Sequence, residues 1–327
     1  MKTAPRPLVS VVLPTRDRPD RLIGALASVL AQSYPDLEVV VVDDASRVRA
    51  DETVRELASD PRVDVVRLDR PSGAAAARNA GIARSSGEIV AFLDDDDRWE
   101  PDKVRRQVDA FAQSPEAALV SCHHFVVDER PGARPSVHRG PTTFTAAQVQ
   151  WMNFPGSFSF VAARRATVGD ELWLDESFPS VEDWDLWLRC MRHGPAVVVP
   201  EPLCRLVVHG GAHLSAPASE HRGLERFIAK HGDGMPPVCR RYAMAHVRML
   251  QGDGWAKRAG VLRSLATGSP RASAVLAVEQ LARQLGRAKG DPGLVERAMA
   301  RVVGPDGRAS GLRARPAPAD DSATVAA

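Results

Sequence analysis

Four consecutive carboxylates, Asp94-Asp95-Asp96-Asp97, form the longest acidic run in the chain. Ionised together in a cleft, they would repel one another. A divalent cation relieves that repulsion, and Mg²⁺ or Mn²⁺ takes oxygen ligands. One or two protein carboxylates leave coordination positions for substrate phosphates, whose departing charge the ion neutralises. A plainer reading is a solvated turn ahead of a helix, because the positive end of a helix dipole favours acidic residues. The strand signal just before the run and the partners elsewhere in the chain favour the metal.

Those partners are dispersed. Asp43-Asp44 closes a strand-like segment, where a carboxylate can accept from a base imide or a ribose hydroxyl, though an Asp there can equally begin a turn. Arg78, in Ala-Ala-Arg78-Asn79-Ala-Gly81, offers a fork of donors suited to phosphate. A lone helical Arg is otherwise expected on the surface. Glu182-Asp183 opens a helix, and a carboxylate aimed into a cleft can take a proton from an attacking hydroxyl. Capping the helix is the competing role. His209 and His213 sit in a glycine-containing loop and are metal-ligand candidates of the imidazole type, or structural residues. Trp184 and Trp187 read as core or cleft wall.

The elements that must position these groups alternate in the first half of the chain. Leu8–Leu13, Leu37–Val42, Val63–Leu68 and Glu88–Leu93 read as strands, the apolar ones buried on both faces. Helices are expected from Pro19, over 52–59, over 73–84 and from Pro101. Such units imply a mostly parallel sheet with helices on both faces. Ligands gather at the carboxyl ends of its strands, where both Asp43-Asp44 and Asp94–Asp97 fall. The middle is less regular: a short helix over 145–152, a strand over 157–163, a helix over 182–193, and short strands at 196–199 and 203–208. From about Ser219 to Val303 the patterns are helical, with basic residues exceeding acidic ones. The stretch from Gly304, rich in Pro, Ala, Gly and Ser, reads as disordered. The expected division is therefore 1–217 for the catalytic domain, 218–303 for a helical C-terminal region and 304–327 for a tail.

Composition bounds the function. The 327 residues are 44% hydrophobic and 26% charged, as in an ordinary globular protein. A net charge of +2 is too mild for a nucleic-acid binder. Four widely spaced cysteines give no zinc framework and read as reduced, buried thiols. No signal core opens the chain, and no apolar run approaches the ~18–20 residues of a membrane span. A cytoplasmic protein is expected, with peripheral membrane contact left open for the basic helices.

Taken together, six segments resemble the inverting glycosyltransferases of family 2, which have the nucleotide-sugar-binding GT-A fold. They are Val11–Asp17, Val41–Ser46, Ala77–Gly81, Ala91–Lys103, Val181–Leu186 and Arg205–Gly211, in this order, within residues 7–216. The resemblance implies roles. Pro14, Thr15, Arg16 and Asp17 form a loop beside the nucleotide. Asp44 contacts the base, with Asp43 supporting it, and Arg78 approaches the nucleotide or its phosphates. Asp94 and Asp96 match the family's D-x-D element, Asp96 as the direct metal ligand and Asp95 nearer the ribose or donor sugar. Asp183 matches the catalytic base, with Glu182 beside it, and His209 a histidine that joins the metal or diphosphate shell. Arg16 stands where many members carry an aromatic that stacks on the base, which loosens the preference for uridine.

The reaction so implied uses Mn²⁺ or Mg²⁺ and a nucleotide-sugar donor, a UDP-sugar ahead of a dTDP- or GDP-sugar. The acceptor is a carbohydrate, a lipid-linked or a small-molecule hydroxyl. A processive membrane-embedded synthase is disfavoured by the lack of spanning helices and of a Q-x-x-R-W element. A sugar-nucleotide nucleotidyltransferase would carry a glycine-rich loop where Pro14-Thr15-Arg16-Asp17-Arg18-Pro19 stands. A non-catalytic nucleotide-sugar-binding relative is the remaining alternative.

Overall fold

The computed structural model describes residues 6–55, 57–130, 133–209, 217–251, 274–275, 277–279, 282, 291 and 293–308. The strands are β1 (Val9–Thr15), β2 (Leu37–Asp43), β3 (Val63–Arg67), β4 (Ile89–Phe92), β5 (Arg98–Trp99), β6 (Leu119–Asp128), β7 (Ser136–His138), β8 (Ala162–Arg164) and β9 (Ala196–Val208). The helices are α1 (Pro19–Leu30), α2 (Ala50–Thr53), α3 (Ala74–Arg84), α4 (Lys103–Gln113), α5 (Ala146–Val149), α6 (Arg165–Val168), α7 (Glu182–Cys190), α8 (Pro217–His231), α9 (Pro237–Gln251) and α10 (Leu294–Val302). Among the described residues, one mixed sheet runs β3-β2-β1-β4-β8-β6-β9-β5, with β7 on β6. β1 to β4 are parallel, β8 runs antiparallel to β4 and β6, and β6 and β9 form a long parallel pair.

β4 is wholly apolar, and β1 and β2 are mostly so, Ser10 and Glu38 excepted before their C-terminal Thr15 and Asp43, because helices cover both faces; Val11, Val12, Val41 and Phe92 are fully buried. The parallel register sets Thr15 beside Asp43 and Val12 beside Phe92. The chain therefore leaves three neighbouring strands at one sheet edge, and the acidic residues emerge together there. Helix α1 presents Leu22, Ala25, Leu26 and Val29 to the core. Helix α3 lies close on the sheet at Gly81, where a Cβ would stand 2.4 Å from Val12 Cγ1. That approach brings Arg78, one turn earlier, down to the strand ends.

Several expectations need correction. The 52–59 helix is a four-residue turn of α2 followed by a 3₁₀ turn at Leu57–Ser59. The 157–163 strand is a 3₁₀ turn, Phe158–Phe160, leading into β8. The two short strands after 196 are one strand, β9, which stays paired to β6 through register shifts opposite its two prolines. Strands β6 and β7 had no counterpart in the sequence reading. Residues 304–308, read as tail, form a turn whose Pro305 and Gly307 carbonyls accept from Thr145 Oγ1 and Trp151 Nε1; 309–327 and His213 lie outside the described residues.

Helix α8 is anchored to α7 through Asp185, which is fully buried. Its carboxylate lies 2.7 Å from His231 Nε2 and 2.9 Å from Lys230 Nζ, and accepts from Arg189 Nε at 3.0 Å. Burial opposes its ionisation, but these neighbours hold the carboxyl below the usual range. Helix α10 is bound to the α5 segment by Gln148 Nε2, which donates to the carbonyls of Ala300 and Val303. Among the described residues no helix is long and apolar enough to cross a membrane. All four cysteines are free and buried.

Candidate active site

The aspartate run begins where β4 ends, with Leu93 N–H donating to Val12 O. A tight turn follows, Asp97 N–H reaching Asp94 O at 3.1 Å. The turn sends the four carboxylates to four different sets of partners. Asp94 Oδ1 accepts from Arg78 Nη2 at 2.5 Å. Asp95 accepts from Thr15 Oγ1 at 2.7 Å and from Arg18 Nη1 at 3.1 Å. Asp96 Oδ2 accepts from Arg18 Nη1 at 2.9 Å and lies 3.0 Å from His209 Nε2. Asp97, only 2% exposed, accepts from Val207 N–H at 3.0 Å. Burial, reinforced by the charge of Asp94, pushes its carboxyl well above the ordinary range. Asp97 thus fastens the run to β9 two residues before His209, a structural task beyond a simple turn.

The nucleotide-side residues lie on two laced loops. Asp17 and Ala45 both adopt left-handed backbone, with φ of 54° and 55°, a conformation that Asp tolerates better than most residues. Asp17 N–H donates to Ser46 Oγ, and Arg47 N–H donates to Asp17 Oδ1. Asp43, 1% exposed, accepts from the amides of Ser46 and Ala50 and from Arg67 Nη1 at 2.5 Å. Burial works against its charge, yet these donors hold its carboxyl below the usual range. Asp44 accepts from Ser72 and Gly73 N–H at 2.6 and 3.0 Å, which sets the entry into α3. Arg16 Nη1 is 3.9 Å from Asp44, with half of its side chain exposed. Pro14 continues the ladder opposite Val42. A cavity of about 260 Å³ between the loops is lined by Thr15, Asp17, Arg18, Leu22, Ser46 and Val48, among others.

The second acidic pair is presented by strain. Val181, a β-branched residue, has φ 56° immediately before Glu182, a left-handed conformation costing of order 1–3 kcal/mol. Asp183 is partly exposed, and its Oδ1 accepts from Trp184 N–H at 2.7 Å. Its Oδ2 accepts from Asn153 Nδ2 at 3.0 Å. Desolvation and the neighbouring Glu182 charge push its carboxyl up to about 7, the range that suits a base working near neutrality. One carboxylate oxygen therefore supports the helix start, while the other faces the Asn153 loop.

Arg78 joins the two acidic regions. It is 3% exposed, which sets aside the competing surface reading, and its charge is directed to carboxylates of the site. Its guanidinium lies 3.7 Å over the Phe158 ring and donates to both Asp94 and Glu182. Three residues of the site escaped the sequence reading of roles. Arg18 was visible only as part of a loop, Asn153 had no motif around it, and Ser159, fully buried, holds the start of the run by accepting from Asp94 N–H at its Oγ.

The donor set suits a divalent ion at one end of the run. Asp96 Oδ2 and His209 Nε2 form an oxygen–nitrogen pair compatible with Mn²⁺, and two protein ligands leave room for phosphate oxygens. Among the described residues no three His, Cys, Asp or Glu side chains converge as a closed metal cage. Asp94 is turned to Arg78 rather than to this pair.

Comparison with known proteins agrees with the geometry. The model of the family "Glycosyl transferase family 2" matches residues 10–172. An Escherichia coli K12 protein assigned to colanic acid biosynthesis as a glycosyl transferase is 28% identical over 246 residues, covering 73% of this chain and 86% of its own. Staphylococcus aureus TarS 1–349, solved with UDP-GlcNAc, superposes with a TM-score of 0.60 at 18% identity over 89% of each chain. A Pyrobaculum calidifontis mannosyltransferase solved with GDP-Man and Mn²⁺ gives 0.58 at 21% identity, covering 90% of this chain and 85% of its own. These likenesses carry the GT-A fold.

Proposed function

Because the chain belongs to glycosyl transferase family 2 and is a nucleotide-sugar glycosyltransferase, we propose that this site performs metal-dependent, inverting sugar transfer with Asp183 as general base. The observation that carries the reading is Arg78, which binds Asp94 of the donor-side run and Glu182 beside Asp183. One buried cation thus fixes the spacing between the groups for the leaving diphosphate and the group for the attacking hydroxyl.

Asp183 takes the proton of an acceptor hydroxyl as its oxygen forms a bond to the anomeric carbon. The bond from that carbon to the donor phosphate oxygen breaks on the opposite side, and its electron pair leaves with the nucleoside diphosphate. Asp96 and His209 would hold Mn²⁺ or Mg²⁺, and the ion would supply charge neutralisation to the diphosphate. Thr15 orients Asp95 toward the ribose or donor sugar. The loops at Pro14–Asp17 and Asp43-Asp44 form the nucleotide wall, with Asp43 and Asp44 acting by shaping backbone. Most of the rate gain comes from alignment and from fixed charge around the diphosphate. A UDP-sugar is the favoured donor, ahead of dTDP- and GDP-sugars, and the acceptor is a carbohydrate, lipid-linked or small-molecule hydroxyl. Residues 1–217 are the proposed catalytic domain and 218–303 the proposed helical C-terminal region, with 304–308 folded back against the α5 segment.

Thermal-shift titration tests this reading, since a bound ligand stabilises the folded chain. UDP with Mn²⁺ at about a hundred times its Kd is expected to raise Tm by roughly 5 °C or more, with EDTA abolishing the rise. A larger response to GDP or dTDP would reassign the donor base. Absence of a metal-dependent response to every nucleoside diphosphate contradicts the proposal.

A further inference from the structure

Resting on that reading, we infer that Arg18 is a built-in counter-cation, occupying the Asp95–Asp96 pair in the free protein and passing to the donor diphosphate when the metal binds. The guanidinium enters from the residue just before Pro19, the first residue of α1. A single nitrogen, Nη1, reaches Asp95 Oδ1 at 3.1 Å and Asp96 Oδ2 at 2.9 Å. The same Asp96 oxygen stands 3.0 Å from His209 Nε2. Arg18 therefore sits on the ligand atom that the divalent ion needs.

The chemistry follows from charge. Asp95 and Asp96 are adjacent and mostly buried, with side chains 6% and 16% exposed. Two such anions need a cation nearby. Arginine stays protonated, so its charge cannot be removed by pH and must be displaced instead. A third of the Arg18 side chain is exposed, which leaves it room to swing away. A nucleoside diphosphate arriving with the metal offers the planar fork bidentate oxygens. The metal alone must then compete with Arg18, whereas metal and diphosphate together give Arg18 a new partner. Coupling between the two ligands is the expected result.

The test is titration of the full chain with Mn²⁺, followed through the electron paramagnetic resonance of free ion, in wild type, Arg18→Met, Arg18→Lys and Arg21→Met. Arg21 is paired with Glu129 and removes the same charge without touching the two aspartates. Arg18→Met is expected to bind Mn²⁺ alone about 10-fold more tightly than wild type, about 1.4 kcal/mol. It should gain less additional Tm from inorganic pyrophosphate added over Mn²⁺. Arg18→Lys, which keeps charge but not the fork, should fall between the two, and it serves as the test if Arg18→Met does not fold. Mn²⁺ affinity in both Arg18 variants equal to or weaker than wild type overturns the inference alone. So does equal tightening in Arg21→Met, which would assign the effect to the general field. If neither wild type nor variants bind Mn²⁺, with or without pyrophosphate, the metal assignment falls and takes the inference with it.

Discussion

Asp183→Asn is expected to lower the transfer rate by about 10²–10⁴-fold, the usual contribution of a positioned base, while leaving Mn²⁺-dependent nucleotide affinity within about 2-fold. The amide is isosteric, so α7 and its contact with Trp184 N–H are preserved, and the hydrogen-bond partners seen among the described residues, Trp184 and Asn153, lie outside the aspartate run. In wild type, kcat/KM should rise as pH passes through about 7, because Asp183 must be ionised to accept the proton. The same residue gives a stability signature. Its folded pKa lies above its unfolded value, so its contribution is fully present at low pH and is lost as pH rises through about 7. The asparagine carries no such titration, so its Tm relative to wild type should climb between pH 5 and pH 8. Wild-type-like transfer by this variant would remove Asp183 as the base.

Asp96→Ala is expected to remove both functions. A direct ligand to the ion should matter more than the supporting partners of metal sites, whose loss typically costs 10–100-fold in affinity. Mn²⁺-dependent nucleotide binding should therefore weaken by about 100-fold or more, and transfer should fall at least as far. The fold should survive, because the substitution relieves repulsion from Asp95 and leaves Arg18 its second carboxylate. Isothermal titration with UDP at saturating Mn²⁺ reads this directly. Asp94→Asn separates the roles within the run: Asp94 is held by Arg78, so its loss should disturb that buried ion pair more than metal affinity. The reverse ranking would exchange the assignments of Asp94 and Asp96.

What was legible in the sequence was what depends on neighbours along the chain. β1, β2 and β4 announce themselves because burial on both faces demands predominantly apolar residues, and aspartates stand at or just past the ends of β2 and β4. The order of motifs placed the site in a known family. What was not legible depends on partners far apart. Arg78 becomes a buried bridge only because α3 packs at glycine distance on Val12 and Glu182 arrives 104 positions later. Arg18 meets Asp95 and Asp96 across 77 and 78 positions. Asn153 reaches Asp183 because its side-chain Oδ1 accepts from Gly156 N–H and Trp187 Nε1 fixes the Gly156 backbone carbonyl; neither contact leaves a periodic trace. β6 carries two buried histidines, His123 and His124, within its apolar residues, so its hydrophobic pattern is broken where the strand is in fact continuous. His124 is accommodated there by stacking on Phe160 with centroids 3.9 Å apart, a tertiary event.

The central claim is a single displacement at the anomeric carbon, with Asp183 and the aspartate run on opposite sides of the reacting bond. The most direct test is ¹H NMR of the anomeric proton in the first product formed from an α-configured nucleotide sugar, recorded before mutarotation, with an acceptor or with water as the nucleophile. The expected result is a β-configured product from wild type, formed about 10²–10⁴-fold more slowly by Asp183→Asn. An α-configured first product would contradict it.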